Sequence, residues 1–363
     1  MIIRFLLLLG ANLLLTGNLK AEATGENVTY RGRPMVGNFF ANSQDAKKAT
    51  YQTPISDPSR EPFDTVLFQG NSLQKEFSVE IAIIENRQEV PIWHETKLKI
   101  YSNGRFWGKL TLENPTRGAI QLRTTVSTDQ YREEITFYTI ETLLDSAERE
   151  TKEPRPAHKP TIAELKPQPK PTILERSTWK ALVPREPYEQ NVPYRFTQHH
   201  TSGKRTFKLE DSIIEMQLIQ EFHQEGRGWS DIGYHFVIDG EGRIFEGRPS
   251  DVIGAHVKDE NPGNIGIALM GSYQAPFNDR VTPKQLESMM TLYLWLASNY
   301  KIDPETLKGH RDYKNTDCPG DLVYPLLPKI KQKLRENLSE QKSTKAFLDR
   351  GGGFRRWRRK KSS

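Results

Sequence analysis

The chain has 363 residues, enough for two modest domains, and its low hydrophobic fraction (36%), 27% charged residues and 23 prolines argue against one large core. The formal charge of +6 is concentrated at the C-terminus, in Arg350, Arg355, Arg356, Arg358, Arg359, Lys360 and Lys361. The rest is near neutral, which excludes a folded basic face for nucleic acid, and the single cysteine, Cys318, excludes an intrachain disulfide framework.

Residues 1–23 read as an export signal: Arg4, an apolar stretch from Phe5 to Leu15, then Ala21-Glu22-Ala23 as a cleavage site. The stretch is shorter than the ~20 residues a membrane span needs, so cleavage is expected rather than anchoring. Export without paired cysteines suits a bacterial envelope protein, periplasmic or extracellular. Residues 24–62 are polar and read as a flexible segment. From 63 to 145 the period becomes two: Phe77, Val79, Ile81 and Ile83 alternate, as do Ile120, Leu122, Thr124 and Val126, then Ile135 and Phe137. Asn103-Gly104 between two such runs predicts a hairpin, because both residues tolerate positive φ. The expectation is an all-β, sandwich-like domain. Its Trp93 and Trp107 are expected to be sandwich core, with a sugar-binding face as the other reading.

Residues 146–175 are rich in Pro, Lys and Glu and predict an extended linker. From 176 to 340, strands and helices interleave, predicting a central mixed β-sheet flanked by helices. Arg195 to Thr201 forms a strand ending at a histidine pair. Ser212 and Glu215 are spaced as a capping box opening a helix on which Ile214, Leu218 and Phe222 share a face. Strands follow at Tyr234–Ile238, Arg243–Glu246 and Ile265–Met270. Thr282-Pro283, with Gln285, opens a long helix. A last helix is expected over about 321–338. Residues 341–363 form a basic tail ending FRRWRRKKSS. One reading is a disordered, solvated end; the other is contact with an anionic envelope surface.

His199, His310 and Cys318 are the residues that carry chemistry. One ends a strand, and the other two share the run GHRDYKNTDCPG (309–320). Two imidazoles and a thiolate suit one zinc ion with a fourth position open to water, the pattern of a hydrolase. Their separations match no compact finger spacing, so residue types alone also allow a buried apolar cysteine and ordinary hydrogen-bonded histidines. His200 and His235 alternate away from His199 and Tyr234 and read as structural.

Five runs go further: RSTW at 176–179, HHTS at 199–202, GWSDIGYHFVIDGEGRIFEGRP at 228–249, GAHVKDENPGNIGIALMGSY at 254–273, and GHRDYKNTDCPG. With these, residues 176 to about 335 resemble the peptidoglycan recognition protein family, which shares its fold with type 2 N-acetylmuramoyl-L-alanine amidases. The front half, linker and tail lie outside that resemblance. It implies zinc on His199, His310 and Cys318, with Tyr234 beside the attacking water and Thr316 near the reacting carbonyl. Thr316 follows the recognition-protein branch; a phage branch carries lysine there. The implied reaction is zinc-dependent hydrolysis of the amide between N-acetylmuramic acid and L-alanine in peptidoglycan or muropeptides. Family members without activity typically replace the cysteine, which is kept here with Tyr234. The alternative is a non-catalytic peptidoglycan-binding protein of the envelope. His256, in the GAH run, reads either as a substrate-binding residue on the groove or as a structural one, and Asn261, in the same loop, as a contact to the substrate's peptide stem.

Overall fold

The computed structural model describes residues 25–34, 37–40, 48–73, 76–85, 90–127, 134–144 and 168–349. The proposed signal peptide, most of the linker and the arginine-rich end lie outside them. The front half begins with short strands β1 (Glu26–Asn27), β2 (Thr29–Tyr30), β3 (Arg33–Pro34), β4 (Gly37–Phe40) and β5 (Lys48–Gln52). There follow β6 (Phe63–Ser72), β7 (Phe77–Ile84), β8 (Trp93–Glu95), β9 (Lys97–Ile100), β10 (Arg105–Thr116), β11 (Ala119–Ser127) and β12 (Glu134–Leu143). One sheet runs β1-β12-β6-β10-β9 with β4 also on β12, and a second runs β5-β11-β7-β8. Val66, Phe68, Ile135 and Phe137 of the first meet Val79, Ile81, Ile120 and Leu122 of the second in one core. Residues two apart face inward, as packed sheets require.

Two expectations change here. Residues 24–62 supply strands rather than only irregular chain, because segments of two to five residues on polar sheet margins are too short to show alternation. In the 103–104 turn only Gly104 takes positive φ (+83°), while the Asn103 side chain accepts from the Arg105 N–H at 3.1 Å.

The rear half is a mixed sheet. Its strands are β13 (Ile173–Leu174), β14 (Arg195–His200), β15 (Phe236–Ile238), β16 (Ile244–Glu246), β17 (Asn264–Leu269) and β18 (Lys308–Gly309). They lie in the order β13-β16-β15-β17-β14-β18, with only the β15–β16 pair antiparallel. Helices α2 (Pro283–Tyr300) and α3 (Leu327–Asp349) cover one face through Met289, Leu292, Leu296, Leu327, Ile330 and Leu334. The Thr282–Gln285 capping box forms as read. The last helix starts later than expected and runs on through the first nine residues assigned to the tail. Helix α1 (Leu209–Glu221) covers the other face through Met216 and Ile219, and a π turn, Phe222–Gly226, ends it.

Helix α1 is covered on its far side too. Its Leu218, with Phe222, packs against Leu67, Trp107 and Leu143 of the sandwich. The Trp107 and Phe222 rings meet edge-to-face at 6.2 Å, so Trp107 is apolar filling between the halves. Beside it, Arg105 Nε and Nη2 donate to Glu215 at 2.6 and 2.9 Å, and both side chains are fully buried. Arg105 also donates to Gln69 Oε1 at 2.7 Å and to the Gly70 carbonyl. The Ser212–Glu215 capping box is therefore overturned. The helix begins at Leu209 with Lys208 as N-cap, Ser212 Oγ donates to Asp239 Oδ2 at 2.7 Å, and Glu215 binds the sandwich. A second pair joins Arg227 to Glu141 at 2.6 Å. Burial holds the Glu141 carboxyl above its ordinary range even against Arg227, as expected when desolvation outweighs pairing.

Candidate metal centre

Register brings the first two ligands together. Gln198 of β14 pairs with Gly309 of the parallel β18, so the residues that follow each of them, His199 and His310, emerge side by side at the carboxyl end of the sheet. Open α/β sheets place ligand sites at that end. The imidazole centroids lie 4.7 Å apart. The chain then makes a short 3₁₀ turn, His310–Asp312, and folds back so that the Arg311 N–H donates to the Cys318 carbonyl at 2.9 Å. Arg311 fastens this loop further through Asp321 at 2.9 Å and the Asp317 carbonyl. The turn after Cys318 needs glycine at 320: its φ is +97°, and a Cβ there would stand 2.7 Å from the Tyr273 carbonyl oxygen.

Cys318 Sγ ends 3.5 Å from His199 Nδ1, and the ligating atoms of His199, His310 and Cys318 all lie within 4.8 Å of one another. Zinc–nitrogen and zinc–sulfur bonds of about 2.0–2.3 Å in a tetrahedron place ligand atoms about 3.3–3.7 Å apart, so the trio needs only small adjustment to hold one ion. Two nitrogens and a sulfur also suit zinc better than an oxygen-seeking cation. Burial, then the neighbouring His310 and His256, holds His199 well below its ordinary pKa. Burial lowers His310 to about 4, with Arg227 and Lys314 adding to it. Both imidazoles are thus neutral near pH 7, the state that ligates. Burial pushes the Cys318 thiol up to about 12, while the His200 backbone N–H pulls the other way. Metal binding must therefore displace a proton from sulfur.

Tyr234 lies just before β15, its ring 5.3 Å from that of His199. Burial and then Cys318 raise its phenol pKa, leaving it a hydrogen-bond donor. Thr316 Oγ1 accepts from the Cys318 N–H at 3.3 Å, which ties it to the ligand loop. His200 turns to the other face of β14 and stands beside Tyr273. His235 donates from Nε2 to the Val252 carbonyl at 2.9 Å and accepts at Nδ1 from the Gly266 N–H at 3.0 Å, filling a structural position.

His256 is enclosed, and Asn261 is half-buried. His256 is buried behind His199, its Nδ1 3.0 Å from His199 Nε2. Asn261 Oδ1 accepts from the His256 and Val257 N–H groups, each at 2.8 Å, and so shapes the loop. Sequence reading passed over His223, in the π turn. Its ring lies 4.6 Å from Trp229 and 5.6 Å from Tyr234. A π turn follows no regular period, so no spacing pointed to it; its nearness to the GWSDIGY run was the available signal.

Residues 189–321 match the family described as Amidase_2, N-acetylmuramoyl-L-alanine amidase. The chain is 36% identical over 156 residues to peptidoglycan-recognition protein LB of Drosophila melanogaster, a match covering 42% of this chain and 66% of that relative, less than two thirds of its length. It is 32% identical over 156 residues to peptidoglycan-recognition protein SC2 of the same fly, covering 42% of this chain and 83% of the relative. Among solved structures, the N-acetylmuramoyl-L-alanine amidase LysC from Clostridium intestinale URNW is 34% identical over 46% of this chain and 99% of its own, with a TM-score of 0.39.

Proposed function

The chain belongs to the family of peptidoglycan-recognition proteins and type 2 N-acetylmuramoyl-L-alanine amidases, and from that premise we propose that it is an exported zinc amidase. Its substrate is the amide joining N-acetylmuramic acid to L-alanine in peptidoglycan of the bacterial envelope. The reading places a front β-domain ahead of a linker and assigns the rear half, from β13 onward, to the amidase domain. The observation that carries it is the convergence of His199, His310 and Cys318 to within 4.8 Å.

When bound, zinc supplies the Lewis acidity that polarises an amide carbonyl and makes water reactive near neutral pH. The chain's own groups do the rest. His199 and His310 present neutral nitrogens, and Cys318 gives up its proton to become the anionic ligand. Tyr234, protonated and beside His199, donates toward the negative charge that develops on the carbonyl oxygen. Thr316, accepting from the Cys318 N–H, keeps a hydroxyl hydrogen to donate in the same region.

The alternative is peptidoglycan binding without turnover, favoured by the naming of several relatives as recognition proteins. It gives no role to a buried thiol facing two imidazoles. Purified protein should carry one zinc per chain, and its digests of peptidoglycan, read by mass spectrometry, should show free L-alanine amino termini and no new reducing sugar ends. Zinc-loaded protein that binds muropeptides without cleaving them supports the alternative; new reducing ends make it a glycosidase.

A further inference from the structure

We propose that His256 is the positioning residue of the metal site: it fixes the tautomer of His199 so that Nδ1 is the nitrogen left free to hold an ion. This rests on the zinc reading above. His256 Nε2 lies 3.3 Å from the Asn264 carbonyl oxygen, which can only accept, so His256 carries its proton on Nε2. Its Nδ1 is then a bare acceptor, 3.0 Å from His199 Nε2. His199 must therefore be protonated at Nε2, which leaves its Nδ1 lone pair directed at Cys318 Sγ, 3.5 Å away. The opposite arrangement would set an unprotonated nitrogen of His256 against a carbonyl oxygen and leave both short of a donor.

The His256 ring has no freedom to abandon this role. It lies between two glycines: a Cβ at Gly254 would stand 2.6 Å from its Cδ2, and one at Gly266 2.6 Å from its Cγ. Its own N–H is held by Asn261 at 2.8 Å, and the His235 ring closes another side, edge-on at 5.5 Å. Metal-bound histidines commonly donate their second N–H to a carboxylate, carbonyl or water. Here a second imidazole, itself fixed by a backbone carbonyl, takes that place.

The test uses full-length protein, stripped of metal and titrated with zinc against a chelator of known affinity. His256→Leu, which removes the acceptor, should weaken zinc binding about 10- to 100-fold. His256→Asn sets an amide oxygen near the position of Nδ1 and should recover most of that affinity. Should either variant fail to fold, nitrogen-15 histidine spectra of the wild-type protein decide alone. His199 should show a protonated Nε2 and, on adding zinc, a shift at Nδ1. Ligation of His199 through Nε2, or unchanged zinc affinity in a folded His256→Leu protein, overturns the assignment and leaves the amidase reading standing. Absence of zinc binding by the wild-type protein overturns both.

Discussion

The chain buries two polar clusters, one at the seam between its halves and one at the end of the rear sheet, and they are built in opposite ways. At the seam two arginines meet carboxylates: Arg105 on Glu215 and Arg227 on Glu141. At the sheet end, His199, His310 and Cys318 bring electron-pair donors together with no carboxylate or cation among them. A closed ion pair satisfies itself and needs no ligand. A set of neutral nitrogens and a sulfur becomes a strong ligand set once a cation arrives and sulfur loses its proton. Burial alone therefore separates neither cluster from ordinary structure; the balance of donors and acceptors does.

That contrast can be broken by substitution. Cys318→Ala should abolish both zinc uptake and turnover while circular dichroism stays that of the wild-type protein, since the loop is also held by Arg311. Retained turnover would end the metal reading. Tyr234→Phe should keep zinc but lower kcat by about 10²–10³-fold, the usual loss of one donor to a developing oxyanion. At the seam, Glu215→Ala should cost about 3–5 kcal/mol of stability by leaving Arg105 buried and unpaired, read as a lower urea midpoint. Arg105→Met combined with Glu215→Leu should recover much of that loss. A single variant as stable as wild type would mean that the seam is not closed as described.

Acid should act on the sheet end through several imidazoles at once. Burial depresses His200 to about 3 and His235 and His310 to about 4, and holds His199, His223 and His256 well below their ordinary value. The unfolded chain, with histidines near 6.5, binds more protons than the folded one below that pH. Stability of the metal-free protein should thus be fully present above about pH 6.5 and decline as pH falls toward about 4, measured as urea midpoint against pH. A flat profile over that range would mean that these imidazoles are solvated.

Much of the rear half was legible because its motifs are local. The Thr282–Gln285 cap, the apolar β17 and the HHTS and GHRD runs each declare themselves within a few residues. What escaped reading depended on contacts far apart in the chain. Ser212 and Glu215 have the spacing of a capping box, yet Glu215 is spoken for by Arg105, 110 positions earlier. The strands within residues 24–62 take their order from neighbours such as β12 and β11, not from a pattern of their own. His256 reads as a candidate for the substrate groove until Gly254 and Gly266 are seen to make room for its ring.

The π turn after α1 joins the two clusters. Phe222 touches Trp107 of the sandwich, and the very next residue, His223, touches Tyr234. One peptide unit thus spans from the seam to the chemistry. Heating should therefore melt both halves in a single calorimetric peak, and zinc, by favouring only the native form, should move that peak upward without splitting it.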